Sequence, residues 1–92
     1  MGATNTFTYT LTNDSLTIQS TDNVLKLSVM CKQGTIGYIG SLFFKNLSST
    51  QITFSVGQGV TESAASTSQP LDGITITAGT SGDIAEIILT TT

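Results

Sequence analysis

Along most of this chain, apolar and polar residues alternate with a period of two. Phe7, Tyr9 and Leu11 alternate with Thr8, Thr10 and Thr12, and Leu16 and Ile18 alternate with Thr17 and Gln19. Such a period places successive side chains on opposite faces of a β-strand, one face buried and one wet. The longest run is Val24–Lys32. Leu25, Leu27, Val29 and Cys31 form its core-facing side, and Val24, Lys26, Ser28, Met30 and Lys32 form the other. Further on, Ile52, Phe54 and Val56 alternate with Thr53 and Ser55, and Ile74, Ile76 and Ala78 alternate with Thr75 and Thr77. In the last run Ala85, Ile87 and Leu89 oppose Ile84, Glu86 and Ile88.

Turn formers punctuate these runs. Asn13-Asp14-Ser15 predicts a tight turn and hence a hairpin between the first two strands, because Asn and Asp tolerate left-handed geometry and bond their own backbone. Ser20–Asn23, Gln33-Gly34 and Gly79–Asp83 predict further turns. Gly37 and Gly40 punctuate a short strand, Thr35–Ile39, and predict a bend that carries it between sheets. Leu42–Phe44 and Ile52–Val56 flank the turn-rich Asn46–Thr50, which predicts a second hairpin. Residues 1–6 are polar and read as a flexible arm. Gln58–Gln69 shows neither strand nor helix periodicity and reads as a long loop. Seven to eight short strands with turns about ten residues apart predict an all-β fold, a small antiparallel β-sandwich of jelly-roll or immunoglobulin-like type. One domain accounts for residues 1–92.

Composition narrows the function. The chain has 92 residues, of which 10% are charged against a usual share of about 25%. About a third are Ser or Thr. With so little charge, the wet surface must be mostly hydroxyl and amide. Net charge is −3 and there is no arginine, so the clustered cations that bind a phosphate backbone or an anionic membrane are missing. Neither nucleic acid nor membrane is an expected partner. No apolar run approaches the ~20 residues of a membrane span, and the N-terminus has no signal-like apolar stretch. The lone Cys31 precludes an intrachain disulfide framework. A hydroxyl-rich β protein with neither signal nor staple fits a product of the cytoplasm that leaves the cell inside an assembled particle.

The search for chemistry yields no catalytic, cofactor or metal residues. Histidine, the commonest general base and neutral metal ligand, is absent. Cys31 lies in an apolar strand with no His or Arg in the chain to stabilise a thiolate. No serine sits in a Gly-x-Ser-x-Gly elbow. Asp14, Asp22, Asp72 and Asp83 fall at turns, where the ordinary task of a carboxylate is to bond local backbone. A non-enzyme is therefore expected.

The remaining clue is apolar surplus. When each strand's more apolar face is assigned to the core, Val24, Met30, Phe43, Ile84 and Ile88 are left outside, and a contiguous group of that kind marks a contact surface. These five are the candidate interface residues of a homo-oligomer or lattice. The runs Asn46–Gly57 (NLSSTQITFSVG) and Pro70–Gly79 (PLDGITITAG) resemble the phrasing of small virion structural proteins of tailed bacteriophages. That resemblance implies an auxiliary or decoration role on a phage head, with the major capsid protein or other virion proteins as partners. The alternative is a carbohydrate- or receptor-binding module of a phage tail or fibre, with Gln58–Gln69 as its binding loop.

Overall fold

The computed structural model describes residues 4–41, 50–64 and 66–92. Eight strands are present among them: β1 (Asn5–Thr12), β2 (Asp14–Ile18), β3 (Val24–Gln33), β4 (Thr35–Ser41), β5 (Thr50–Ser55), β6 (Gly59–Ser63), β7 (Asp72–Ala78) and β8 (Ile84–Thr91). They form two four-stranded sheets, in the orders β1-β8-β3-β6 and β2-β7-β4-β5. Every pairing is antiparallel. The nested pairs β1–β8, β2–β7, β3–β6 and β4–β5 describe a chain doubled back on itself and rolled up, which is the jelly-roll arrangement. The fold is thus the all-β sandwich the alternation predicts, in the first of its two candidate topologies.

The inner faces come from the alternation. Leu27, Val29, Cys31, Ala85 and Ile87 of the first sheet are buried against Ile18, Ile36, Tyr38, Phe54, Ile74, Ile76 and Ala78 of the second. Leu71, just before β7, is also buried, and its amide donates to the Val24 carbonyl at 2.9 Å.

Several local expectations are corrected by long-range pairing. The turn at Asn13 exists, with φ 57°, but it does not close a hairpin. β1 pairs with β8 and β2 with β7, so the turn carries the chain from one sheet to the other. β4, by contrast, stays in one sheet throughout, between β5 and β7. Its Gly40 lies beside a register shift rather than at a crossing, and a Cβ there would meet Tyr38 Oη at 2.9 Å and Ile74 Cγ1 at 3.0 Å. Close approach, not bending, explains that glycine.

β5 pairs with β4 from Thr35↔Ser55 to Gly40↔Thr50, which makes this the one sequential hairpin among the described strands. The apolar arm expected at Leu42–Phe44 and its turn up to Ser49 lie outside the described residues. Of the three apolar residues expected on the inner face here, Phe54 is buried, Ile52 is open at the sheet margin, and Val56 lies beyond the strand end in solvent. The expected loop over 58–69 is in fact strand from Gly59 to Ser63, paired to β3, with a further bridge Ser66↔Gln69. Gly59, Thr61 and Ser63 alternate with Val60 and Glu62, but the small residue and the carboxylate hide the period. The arm expected over 1–6 gives its last two residues to β1.

The Tyr38 hydroxyl is buried and has no hydrogen-bond partner among the described residues. Burial, with the Glu62 carboxylate adding to it, pushes the phenol pKa up from its ordinary value, so the group stays neutral. An orphan buried hydroxyl costs roughly 1–3 kcal/mol of desolvation. Tyr38→Phe removes that cost and keeps the ring. It is expected to raise the unfolding free energy by about 1 kcal/mol, read as a higher urea midpoint at unchanged slope. A fall in the midpoint would show that the hydroxyl is satisfied.

Candidate interface

The outer face of the β1-β8-β3-β6 sheet follows from its register. One row across the strands reads Thr8, Ile88, Ser28 and Thr61, and the next reads Thr10, Glu86, Met30 and Gly59. Met30 and Ile88 are 45% and 42% exposed and line one hollow of about 300 Å³, floored by Ser28 and Thr61 and left open because Gly59 carries no side chain. Gly59 is also required by its backbone, since a Cβ there would overlap the Val29 carbonyl oxygen. Lys32 and Glu86 stand at the rim with their charged atoms 3.9 Å apart, an exposed pair of small energetic value. The arrangement is an apolar centre in a hydroxyl surround.

Of the five residues proposed for an interface, the structure brings Met30 and Ile88 together. Ile84 lies on the same face but two positions from Glu86 at the far end of β8, and it is half-buried. Phe43 lies outside the described residues. Val24 is a correction: it is 1% exposed and belongs to the core. The cause is a β-bulge. Val24 pairs with Thr91 and Lys26 with Thr90, so Leu25 is the extra residue and the inward phase shifts by one across it. Strict alternation assigns Val24 outward because a bulge is invisible in the pattern.

The second sheet presents a flatter outer face. Its rows read Ser15, Thr77, Gly37, Thr53 and Thr17, Thr75, Ile39, Gln51. The hydroxyls of Thr17 and Thr75 lie 3.2 Å apart, and Ser15 donates to Thr77 at 3.2 Å. No charge lies in either row, and Ile39 is its exposed apolar residue.

A third feature lies where the two sheets fail to meet. Phe7 and Tyr9 pair with Leu89 and Ile87, so they sit on the inner side of their sheet. They are nevertheless 47% and 46% exposed. β1 has eight residues and β2 has five, and the shorter strand leaves the start of the longer one uncovered. The result is a cleft of about 360 Å³ with Phe7 and Tyr9 on one wall and Leu16 and Ile18 on the other. Alternation assigns both rings to the core, and it is right about their side of the sheet and wrong about their cover.

Asp14 and Asp22 bond local backbone as their turn positions predict, accepting from the Thr12 amide at 3.0 Å and the Gln19 amide at 2.9 Å. Asp72 instead begins β7 and accepts from the distant Ser20 amide at 3.0 Å. Asp83 is buried and accepts from both Thr35 and Thr80. Cys31 is buried as well, and its thiol donates to the Gly34 carbonyl at 3.2 Å.

No protein-family model and no curated protein sequence matches this chain. One solved structure is similar in fold. It comes from work on Bacillus endospore appendages, described as a family of disulfide-linked pili, and aligns with a TM-score of 0.50 at 13% identity. The alignment covers 96% of this chain and 81% of that one. At this identity the likeness concerns the sandwich alone.

Proposed function

We propose that this chain is a non-enzymatic structural subunit that works by packing against further copies of itself in an ordered assembly. The observation that carries the reading is the Met30–Ile88 centre on a hydroxyl-rich sheet face, whose charges, Lys26, Lys32 and Glu86, stand around it. Each of these side chains forgoes part of the roughly 1.5–3 kcal/mol that full burial gives, and a flat apposed sheet recovers it while Glu86 keeps Lys32 as its counter-charge. The narrower form of the proposal, an auxiliary protein of a phage head, draws on the phrasing of residues 46–57 and 70–79. A filament is the second form, favoured by a sandwich shared with a pilus-type structure. Cys31 is buried, so in either form the copies are held without disulfides. The receptor-module alternative is less favoured, because residues 59–63 of its Gln58–Gln69 loop form a strand paired to β3.

The test is association of the purified chain. Sedimentation and negative-stain microscopy across rising concentration are expected to show ordered oligomers, filaments or shells that persist in reductant. Met30→Ser together with Ile88→Ser is expected to weaken association by tenfold or more, as the loss of about 1.5–3 kcal/mol implies, with an unchanged circular dichroism spectrum. A well-folded monomer at every concentration would overturn the proposal.

A further inference from the structure

β1 is the longest of the four margin strands in this fold, eight residues against six in β5 and five in β2 and β6, and it is open to pairing with another chain. It forms one margin of its sheet and uses one side of its backbone on β8, through eight consecutive pairs with no register shift. Its sequence, Asn-Thr-Phe-Thr-Tyr-Thr-Leu-Thr, holds no charge, proline or glycine, and all of it except Leu11 is exposed. Natural edges are usually protected by shortness, charge, proline or a bulge. The opposite margin of the same sheet, β6, is five residues long, begins at Gly59 and turns Glu62 toward the inter-sheet space. β2, the neighbouring margin of the other sheet, is also five residues long and begins with Asp14.

Two independent features therefore meet at β1: a long bare edge, and the uncovered inner-side rings of Phe7 and Tyr9. A strand added there would pair the free amides and carbonyls and also lay its own inner-side residues against the mouth of the cleft. We propose that this strand is β1 of a second copy, in antiparallel two-fold pairing about Thr8. Thr6-Phe7-Thr8-Tyr9-Thr10 is symmetric in character about its centre. Phe7 of each copy then faces Tyr9 of its partner on the cleft side, and Thr6 faces Thr10 on the outer side. Aromatic pairs and Thr–Thr pairs both favour such cross-strand placement. A two-fold contact sets the same strand against itself, with only Thr8 meeting its own copy, and a strand without charge does so without repulsion.

The area is sufficient. An aromatic side chain offers about 150–250 Å², so two half-exposed rings from each copy supply roughly 300–500 Å², to which two eight-residue backbone edges add. The sum falls near the ~1,000 Å² that a specific interface needs. This inference deepens the assembly reading and rests on it: β1 makes the dimer, and the Met30–Ile88 face carries dimers into larger structures.

The test uses Thr8, which is exposed and lies at the two-fold centre. Thr8→Lys and Thr8→Glu each place like charges opposite one another, which costs several kcal/mol, so each is expected to weaken dimerisation about 100-fold while sheet content by circular dichroism stays unchanged. An equimolar mixture of the two is expected to recover the dimer, as a heterodimer, since the charges then oppose. Recovery on mixing supports the register. Dimers that persist in both single variants, or a mixture that stays monomeric, would overturn it. Loss of higher assembly in the Met30→Ser, Ile88→Ser double variant with persistence of dimers in both Thr8 variants would overturn the β1 pairing and leave the assembly reading standing. A monomeric parent chain would remove both.

Discussion

Ile87→Ala is expected to lower the unfolding free energy by about 2–5 kcal/mol, whereas Ile88→Ser next to it is expected to change it by no more than about 0.5 kcal/mol. The two isoleucines are chemically identical and adjacent on β8. Ile87 has no exposure and sits in a cross-sheet row between Tyr9 and Val29, with Val60 beyond. Truncating it removes buried methyl and methylene groups and leaves a cavity that two interlocked sheets close only in part. Ile88 faces out and has solvent on one side already. For a domain of this size, 1 kcal/mol corresponds to roughly 4–8 °C in melting temperature, so the two variants should differ by at least about 6 °C in a calorimetric scan. In association assays the order should invert: Ile88→Ser weakens self-assembly at unchanged fold. Equal melting temperatures for the two would contradict the inward and outward assignment of β8.

Asp83→Ala is expected to cost about 2–4 kcal/mol, more than any other single carboxylate in the chain. One Asp83 oxygen accepts from Thr35 in β4 at 3.2 Å and the other from Thr80 in its own turn at 3.0 Å. The side chain thus fastens the β3–β4 turn to the β7–β8 turn across 48 residues of sequence. Hydrogen bonds to a charged acceptor contribute roughly 1.5–3 kcal/mol each, and their loss leaves two part-buried amides unpaired. Gly34 is shaped around the same carboxylate. Its φ is +77° and a Cβ there would overlap Asp83 Oδ1, so Gly34→Ala should also destabilise, by backbone strain and by displacing the acceptor. Urea titration with an unchanged slope is the measurement. By contrast, Asp14→Ala removes one exposed bond and should cost under about 1 kcal/mol; a cost equal to that of Asp83 would show that the inter-turn link is not what matters.

How far the sequence could be read depended on how local each feature was. Strand existence, turn positions and most inward residues were legible because steric alternation and left-handed turns are fixed by neighbours in the chain. Asn13 and Asn23 both adopt positive φ at predicted turns, and Leu27, Val29, Ala85, Ile87 and Leu89 are all buried where their period puts them. Three kinds of error had distinct causes. The bulge at Leu25 moved Val24 inward, because inserting one residue flips everything on one side of it. The strand at 59–63 was hidden because an edge strand buries little and so tolerates Gly and Glu. The first turn was mistaken for a hairpin because a turn fixes a reversal of direction, not the partner that the next strand finds.

Within the candidate interface, Met30 and Ile88 were legible as outward apolar residues on their own strands, but their adjacency was not, since it depends on β3 and β8 lying side by side 60 residues apart in the register Ser28↔Ile88. Phe7 and Tyr9 were beyond reach in another way. Their side of the sheet is local, while their exposure depends on the length of a strand in the opposite sheet. The chain by itself determined that it would make strands, where it would turn, and that too little charge was present to cover the product. Only the tertiary structure decided which edges stayed bare and which apolar residues stayed wet, because cover is supplied by segments distant in sequence and no residue carries a record of what will pack above it.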